Sequence, residues 1–435
     1  MPKNENWDKK PLTELLDTIV DNRGKSVPTS ETGFPLIATN CIKHSSIYPM
    51  FENIRYVSDE TLKTWFRAEL KPNDILFVNK GSPGRVCLVP NPVPFCAAQD
   101  MVGLRCNPKK VYYKYLFAYL RTPIIQQKIE NYHVGIMIPH FKKSDMDNLL
   151  IELPEMPIQR KIGDLYLLLS EKIELNNKIS ADLESLAKTI YDYWFLQFEF
   201  PDANGRPYKS SGGRMVWNEA LKREVPEGWK YKKLDNHISF SRGIAYTSND
   251  IKDKSGLPMF NLASVDISRN YQPNGLKYYS GKYKKDDIIY PGDFVIACTD
   301  LTRNRDIIGS PVCVPNTHDK FVSSMDLAKL NITSNELIGY YVYSALRQES
   351  YHNYIKWFAS GTNVQHLDLD GILNYPILFP DINIQKKYSD IIHNLEKKKG
   401  IILKENQDLA ALRDFLLPML MNGQVTFKDE KECPA

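Results

Sequence analysis

The sequence predicts an α+β protein made twice: two mixed α/β domains, each followed by one long helix. Three observations predict this. A segment beginning FCAAQDMVGL at Phe95 returns as FVSSMDLAKL at Phe321, and one offset holds from there with no gap. Each copy opens with short β-type runs punctuated by Gly, Pro and Asn. Each copy ends in a segment of some forty residues whose apolar positions step by 3 and 4.

The repeat pairs Asp100 with Asp326, Tyr115 with Tyr341, Leu120-Arg121 with Leu346-Arg347 and Gly135 with Gly361. It continues through His140 and His366, Pro154 and Pro380, Gln159 and Gln385, Leu183 and Leu409. Upstream the likeness needs gaps: Trp7 answers Trp229, Gly33-Phe-Pro answers Gly256-Leu-Pro, and Lys71-Pro-Asn-Asp answers Tyr290-Pro-Gly-Asp. Anchors that persist while spacings vary describe one scaffold with two different sets of loops. The β-type runs are FPLIATNCI, DILFVN and RVCLVP, then PMFNLASVDI, DFVIACT and PVCVP. Helices follow near Tyr112–Leu120 and Ile338–Leu346. The expected boundaries are 1–155 and 229–381 for the domains, 156–200 and 382–422 for the long helices, 201–228 for a polar linker and 423–435 for a tail.

In the first long helix the seam reads Ile162, Leu165, Leu169, Lys172, Asn176, Ile179, Leu183, Leu186, Ile190 and Tyr193. In the second it reads Tyr388, Ile391, Leu395, Lys398, Ile402, Glu405, Leu409, Leu412, Leu416 and Met419. Such a seam suits either two helices packed on each other or two amphipathic helices, each on its own domain. At about 1.5 Å per residue, roughly 38 residues span about 57 Å, too long for the inside of one small domain. Leu167, Leu168, Trp194, Phe195, Phe415 and Leu417 flank the seams and are expected to form a partner surface.

Composition excludes more than it selects. Charged residues make up 25% and hydrophobic ones 43% of the 435, and 56 basic against 52 acidic residues give a net charge of +4. This balance does not by itself mark a nucleic-acid binder. The opening MPKNENWDKK lacks the apolar core of a signal peptide, and no apolar run reaches the roughly 18 residues of a membrane span. Seven cysteines (41, 87, 96, 106, 298, 313, 433) form no C-x-x-C pair, and their odd number forbids a complete intrachain disulfide set. A reduced, cytoplasmic protein is expected, with no membrane association.

No catalytic constellation emerges. Gly24-Lys25-Ser26 resembles the end of a phosphate loop, but Ile19 stands where its first glycine belongs. A nuclease-like grouping of Pro380-Asp381 with Glu396-Lys397-Lys398 would place its glutamate in mid-helix. Neither an amino-methyltransferase N-P-P-Tyr/Phe or D-P-P-Tyr motif nor zinc-ligand spacing occurs. The loops, by contrast, suit DNA. Lys80, Ser82 and Arg85 lie between two β runs; Arg303, Asn304 and Arg305 occupy the same point of the second copy. Thr362, Asn363 and Gln365 follow in a second loop of that copy. Arg pairs with guanine, Asn and Gln with adenine, and Gly admits phosphate to the backbone. Solvated charged loops are the alternative, and His140 and His366 read as loop-packing residues.

Taken together, the duplicated order of a Gly-x-Pro anchor, a Pro-x-Asp strand, a Gly loop, a Leu-Pro or Phe-Pro end and a Gln-Arg or Gln-Lys helix start resembles the specificity (S) subunits of type I restriction–modification systems. The PDANGRPYKSSGG…VPEGW linker is also similar to linkers of that family. The resemblance implies two target-recognition domains, each reading half of a bipartite asymmetric site in double-stranded DNA. It also implies an antiparallel coiled coil of the two helices, with Leu165, Leu169, Leu183, Leu186, Ile391, Leu395, Leu409 and Leu412 among its contacts. The chain would be non-catalytic and bind no cofactor itself. Two methyltransferase subunits would bring S-adenosylmethionine, and two restriction subunits would bring ATP and Mg. A specificity subunit of a modification system without cleavage, or a stand-alone nuclease or methyltransferase, are the alternatives.

Overall fold

The computed structural model describes residues 7–21, 25–132, 139–252 and 255–427. The chain divides into two compact units, one of residues 1–176 with 406–435, the other of residues 177–405. The long helices are Met156–Tyr191 and Ile382–Met421, so each unit holds a segment of both.

The first unit is built on an antiparallel sheet in the order Leu16–Asp21, Met101–Cys106, Ile75–Val78, Val86–Leu88. Ile75–Val78 is buried along its whole length, and its period of two divides it between two cores. Ile75 and Phe77 share one core with the helical Tyr115 and Leu116 and with Ile151 of the strand Leu150–Leu153, while Leu76 and Val78 share another with Ile37, Cys41 and Met101. A second sheet pairs Arg55–Val57, Phe34–Ile37 and Cys96–Ala97, with Leu36 parallel to Cys96. Helices Tyr113–Leu120 and Pro123–Tyr132 cover the main sheet.

The second unit repeats the plan with the order Ile238–Arg242, Leu327–Ile332, Phe294–Ala297, Pro311–Cys313. Here Phe294 and Ile296 face one core, Val295 and Ala297 the other. Its second sheet contains the parallel pair Met259–Val322, the counterpart of Leu36–Cys96. It also gains a small sheet of Thr299–Asp300, Gln365–Leu367 and Ala359–Ser360.

The repeated residues make repeated bonds. Gln159, buried, donates to the Pro154 carbonyl (2.8 Å) and accepts the Tyr112 N–H (2.9 Å). Gln385, buried, donates to Pro380 (2.9 Å) and accepts from Ile338 (3.1 Å). The hydroxyl of Tyr115 donates to the Glu152 carbonyl and that of Tyr341 to Leu378, at 2.5 and 2.7 Å. These glutamines satisfy peptide groups that would otherwise be buried without partners, which ties the start of each long helix to its own domain. In the first unit the tie is close enough to require glycine. A Cβ on Gly163 would sit 2.6 Å from the Tyr115 nitrogen.

Each unit also packs its two helix segments on one another. In the first unit Arg413 donates to the Ser170 hydroxyl (3.4 Å) and Asn176 to the Asn406 side chain (2.9 Å). Ile162, Leu165, Tyr166 and Leu169 face Arg413, Leu416, Leu417 and Leu420. In the second unit Lys399 lies 3.6 Å from Glu184, and Tyr388 packs against Trp194 with 5.8 Å between ring centres. Within each unit, a later residue of one helix meets an earlier residue of the other.

The covered seam differs from the expected one at three of the ten positions in each helix. Ile162, Leu169, Asn176, Leu183 and Ile190 are covered in whole or part, but Leu186 is 46% exposed and Lys172 is exposed. Ile173, Ala187 and Trp194, each one residue later than expected, are covered where Lys172, Leu186 and Tyr193 are exposed, and Tyr166 and Ser180 join the partly covered Leu165 and Ile179. In the second helix Ile391, Lys398 and Leu412 are exposed, while Ile392, Lys399 and Arg413 turn inward; Leu395 and Leu409 remain partly buried. With 3.6 residues per turn, a step of 3 followed by 4 and a step of 4 followed by 3 are equally regular. Only the neighbouring domain surface distinguishes them. The polar pairs that cross the helix contact include Asn176 with Asn406, Ser170 with Arg413 and Glu184 with Lys399, while Lys172 and Lys398 are exposed.

Two further expectations are corrected. Residues 201–228 are more than a polar connector: Met215–Asn218 pairs with Arg223–Pro226, and Tyr208 stacks on Phe200 at 4.6 Å, itself 5.1 Å from Trp229. Phe198, Phe200 and Val225 enter the second unit's core. Of the six apolar residues expected at a partner surface, Trp194 and Phe195 are buried in that core, and Leu167 and Leu417 in the first unit's core. A π-helical turn at Asp192–Leu196 ends the first long helix and carries Trp194 and Phe195. Leu168 and Phe415 stay exposed.

Candidate nucleic-acid interface

In both units a loop leaves the central strand and is held against a second loop by the same main-chain bonds. In the first unit Asn79 N–H donates to the Asp100 carbonyl (2.9 Å), and Phe141 N–H donates to Asn79 (2.8 Å). In the second, Cys298 N–H donates to Asp326 (2.8 Å) and Leu367 N–H to Cys298 (2.9 Å). A bridge between Lys80 and His140 matches the pairing of Thr299 with His366. The histidines hold the loops through their backbones, and their side chains are exposed. Gly135 lies outside the described residues.

The return of each loop is also shared. Gly84 (φ 86°) and Gly309 (φ 69°) occupy the left-handed region, against Ile129 and its counterpart Ile355. Between these fixed ends the loops differ: residues 80–83 in one unit, residues 299–308 in the other. Lys80 is exposed in the short loop, while Ser82 and Arg85 are half-buried. Arg85 and Arg121 both lower the pKa of His44, after the larger effect of its burial.

The longer loop is organised by Asp300, which is fully buried. Its carboxylate accepts from the N–H groups of Thr302 (2.6 Å), Ile307 (2.8 Å) and Ile308 (2.9 Å). The Thr302 hydroxyl accepts from Asp306 N–H (2.8 Å), and Arg305 (φ 56°) donates to the Lys356 carbonyl at 2.6 Å. Arg303 and Asn304 are left exposed at the tip. Arg305 is thus committed to loop structure, and the two residues before it present their side chains outward. The neighbouring hairpin divides likewise. Thr362 and Asn363 are exposed, but Gln365 is 9% exposed and its amide donates to the carbonyls of Gly361 (2.6 Å) and Thr362 (3.2 Å).

Asp300 and the Gln365 brace carried no sequence signal: an isolated acidic or amide residue in a polar loop looks the same whether it faces inward or outward. Arg121 and Arg347 did carry one, as a repeated pair. Both are structural. Arg121 donates to the carbonyls of Lys43 and Val86 (3.3 and 3.1 Å), and Arg347 to that of Arg269 (2.6 Å) and to the side chain of Glu184.

The structure does not assemble the nuclease-like grouping. Asp381 caps the second long helix by accepting Asn383 N–H (2.8 Å), while Glu396 pairs with Lys399 (3.2 Å) along the helix. Gly24 lies outside the described residues. Among the described residues no cluster of three or more His, Cys, Asp or Glu could hold a metal, and no helix is long and apolar enough to cross a membrane.

Comparison with known proteins agrees with this duplicated plan. The model of the type I restriction modification DNA specificity domain matches residues 4–185 and again 226–411. The MjaIX specificity subunit of Methanocaldococcus jannaschii, a type I restriction enzyme subunit, is 23% identical over 99% of this chain and 95% of its own length. The HindI specificity subunit of Haemophilus influenzae is 22% identical over 82% of this chain and 87% of its own. The solved S subunit of a type I system from M. genitalium shares the fold, with a TM-score of 0.62 at 17% identity over 97% of each chain.

Proposed function

The chain belongs to the type I restriction–modification DNA specificity family, and we propose that its two units read the two halves of one bipartite, asymmetric DNA target through the paired loops described above. One observation carries this reading: the loops have the same fixed ends in both units but different lengths and residues between them. A scaffold that holds two unlike loops in equivalent positions suits two unlike half-sites. Lys80, with Arg85 behind it, would serve one half-site; Arg303, Asn304, Thr362 and Asn363 would serve the other. Arg and Asn in such places bond base edges or phosphates, and Lys adds salt-sensitive attraction to the backbone. Arg305 and Gln365 would act by bracing the loops.

The chain supplies recognition, and the chemistry belongs to its partners. In this reading two methyltransferase subunits bind S-adenosylmethionine, two restriction subunits bring ATP and Mg, and the complex works in the cytoplasm. The two helix segments belong to one antiparallel coiled coil that spaces the units along DNA. The opposite running of residue numbers across the helix contact within each unit supports this arrangement.

Methylome sequencing of a host expressing the chain with its methyltransferase tests the reading. A bipartite motif is expected. Exchange of residues 80–85 should alter one half of it, and Arg303→Ala the other, by about 1–3 kcal/mol of discrimination. Loss of both halves by either change in a folded protein would refute modular reading.

A further inference from the structure

Trp357 is 84% exposed, more than any other large apolar side chain among the described residues. Its backbone is nevertheless fixed. It sits in a 3-10 turn, Lys356–Phe358, directly after the helix Glu349–Ile355. On one side of it, the Lys356 carbonyl accepts from Arg305, the brace of the Asp300 loop. On the other, the Phe358 carbonyl accepts Asp368 N–H at 2.9 Å, and the hairpin carrying Thr362 and Asn363 begins at Ala359. The indole therefore stands on a rigid shelf where the two candidate reading loops join.

The duplicated scaffold does not require a tryptophan here. The repeat places Asn131 at this point of the first unit, and Ile129 and Ile355, two residues earlier, make the shared packing against Gly84 and Gly309. The surroundings favour an anion. Arg303 is exposed and Lys356 and Arg305 are half-buried; of the nearby acids, Asp306 is half-buried, Asp368 exposed, Glu349 paired with Arg269 at 3.0 Å, and Asp300 sealed within its loop. An exposed aromatic face beside cations suits a polymer with a charged backbone and apolar base and sugar surfaces.

We propose that Trp357 is a DNA-contacting residue of the second unit alone, laying its indole on the base and sugar surface of duplex DNA between the contacts of the two reading loops. The inference rests on the DNA-reading function proposed above. It adds an apolar contact without an ionic one, and this gives it a distinct signature: affinity falls when the indole is removed, but the salt dependence of binding does not.

The test uses the full chain assembled with its methyltransferase, and a labelled duplex bearing the methylated motif, with affinity measured across a salt series. Trp357→Ala should weaken binding about tenfold, the scale of burying a large apolar side chain, with an unchanged salt slope, and Trp357→Phe should recover most of the loss. Arg303→Ala should weaken binding and flatten the slope. If Trp357→Ala binds as wild type while Arg303→Ala is impaired, the DNA-reading function stands and the role of Trp357 is overturned. If Trp357→Ala instead blocks assembly with the methyltransferase, the indole belongs to a protein interface and the inference is likewise overturned. If the unmodified complex shows no preference for the motif duplex, the underlying function fails first.

Discussion

Asp300 commits its carboxylate to three N–H groups of its own loop. In Asp300→Asn an amide NH2 would face some of those donors, so bonds to a charged acceptor worth about 1.5–3 kcal/mol each are weakened or lost. We expect recognition of the second half-site to be lost, with the first unchanged, as read by methylome sequencing. A variant that keeps both halves would show that the loop needs no such anchor. Gly163 offers a test of a different kind, because the atoms facing it are main chain and cannot rotate away. Gly163→Ala should lower the stability of the first unit by about 1–3 kcal/mol through overpacking. Denaturant unfolding checks this, and an unchanged midpoint would mean that helix and domain separate more readily than their contact implies.

At the level of elements, the glutamine ties explain why a long helix starts where it does. Gln385→Ala would leave the Ile338 N–H and the Pro380 carbonyl buried without partners, and Gln159→Ala would do the same to Tyr112 and Pro154. The helix Glu349–Ile355, which supports the loops proposed to read DNA, has a different sensitivity. Its His352 is buried, and burial, with Arg269 and Lys356 nearby, lowers the pKa to about 4. The folded value lies below the unfolded value of about 6.5, so the unfolded chain binds more protons between them. Stability is therefore full above about pH 6.5 and declines as the pH falls toward 4. Thermal unfolding across that window should show the decline, and His352→Gln should reduce it. An equal decline in the variant would assign the effect to other groups.

For the whole molecule, the testable quantity is the spacing of the two half-sites. The long helices have 36 and 40 residues, about 54 and 60 Å at roughly 1.5 Å per residue. Inserting one heptad between Ile179 and Leu183 lengthens an arm by about 10 Å while keeping the covered stripe in register. The spacer of the methylated motif should grow by about three base pairs at roughly 3.4 Å each, with the half-site bases unchanged. Two inserted residues should instead break the register and abolish assembly. An unchanged spacer after the heptad insertion would mean that the helices do not set the distance. The partner surface also contracts from the sequence expectation. Leu168 and Phe415 remain candidates for it, whereas Trp194 and Phe195 serve the core.

What the sequence determined alone was the duplication and its order, because a repeated scaffold preserves residue identity where packing allows little choice. Tyr115 and Tyr341, Gln159 and Gln385, and Arg121 and Arg347 recur in sequence and make corresponding buried bonds or, for the arginines, structural contacts to backbone carbonyls. Periodicity likewise revealed both long helices. Tertiary structure alone decided which face of each helix is covered, since Leu186 and Ala187, or Ile391 and Ile392, satisfy the same periodicity until a domain packs against one of them. It decided that the segment after Phe198 folds onto a core through a hairpin and stacked aromatics, a stability that lies in distant contacts and not in local composition. It also separated the loop residues into outward-facing Arg303 and Asn304 and bracing Arg305 and Gln365. A polar side chain bonds whichever partner the fold brings within about 3 Å, and sequence does not encode that distance.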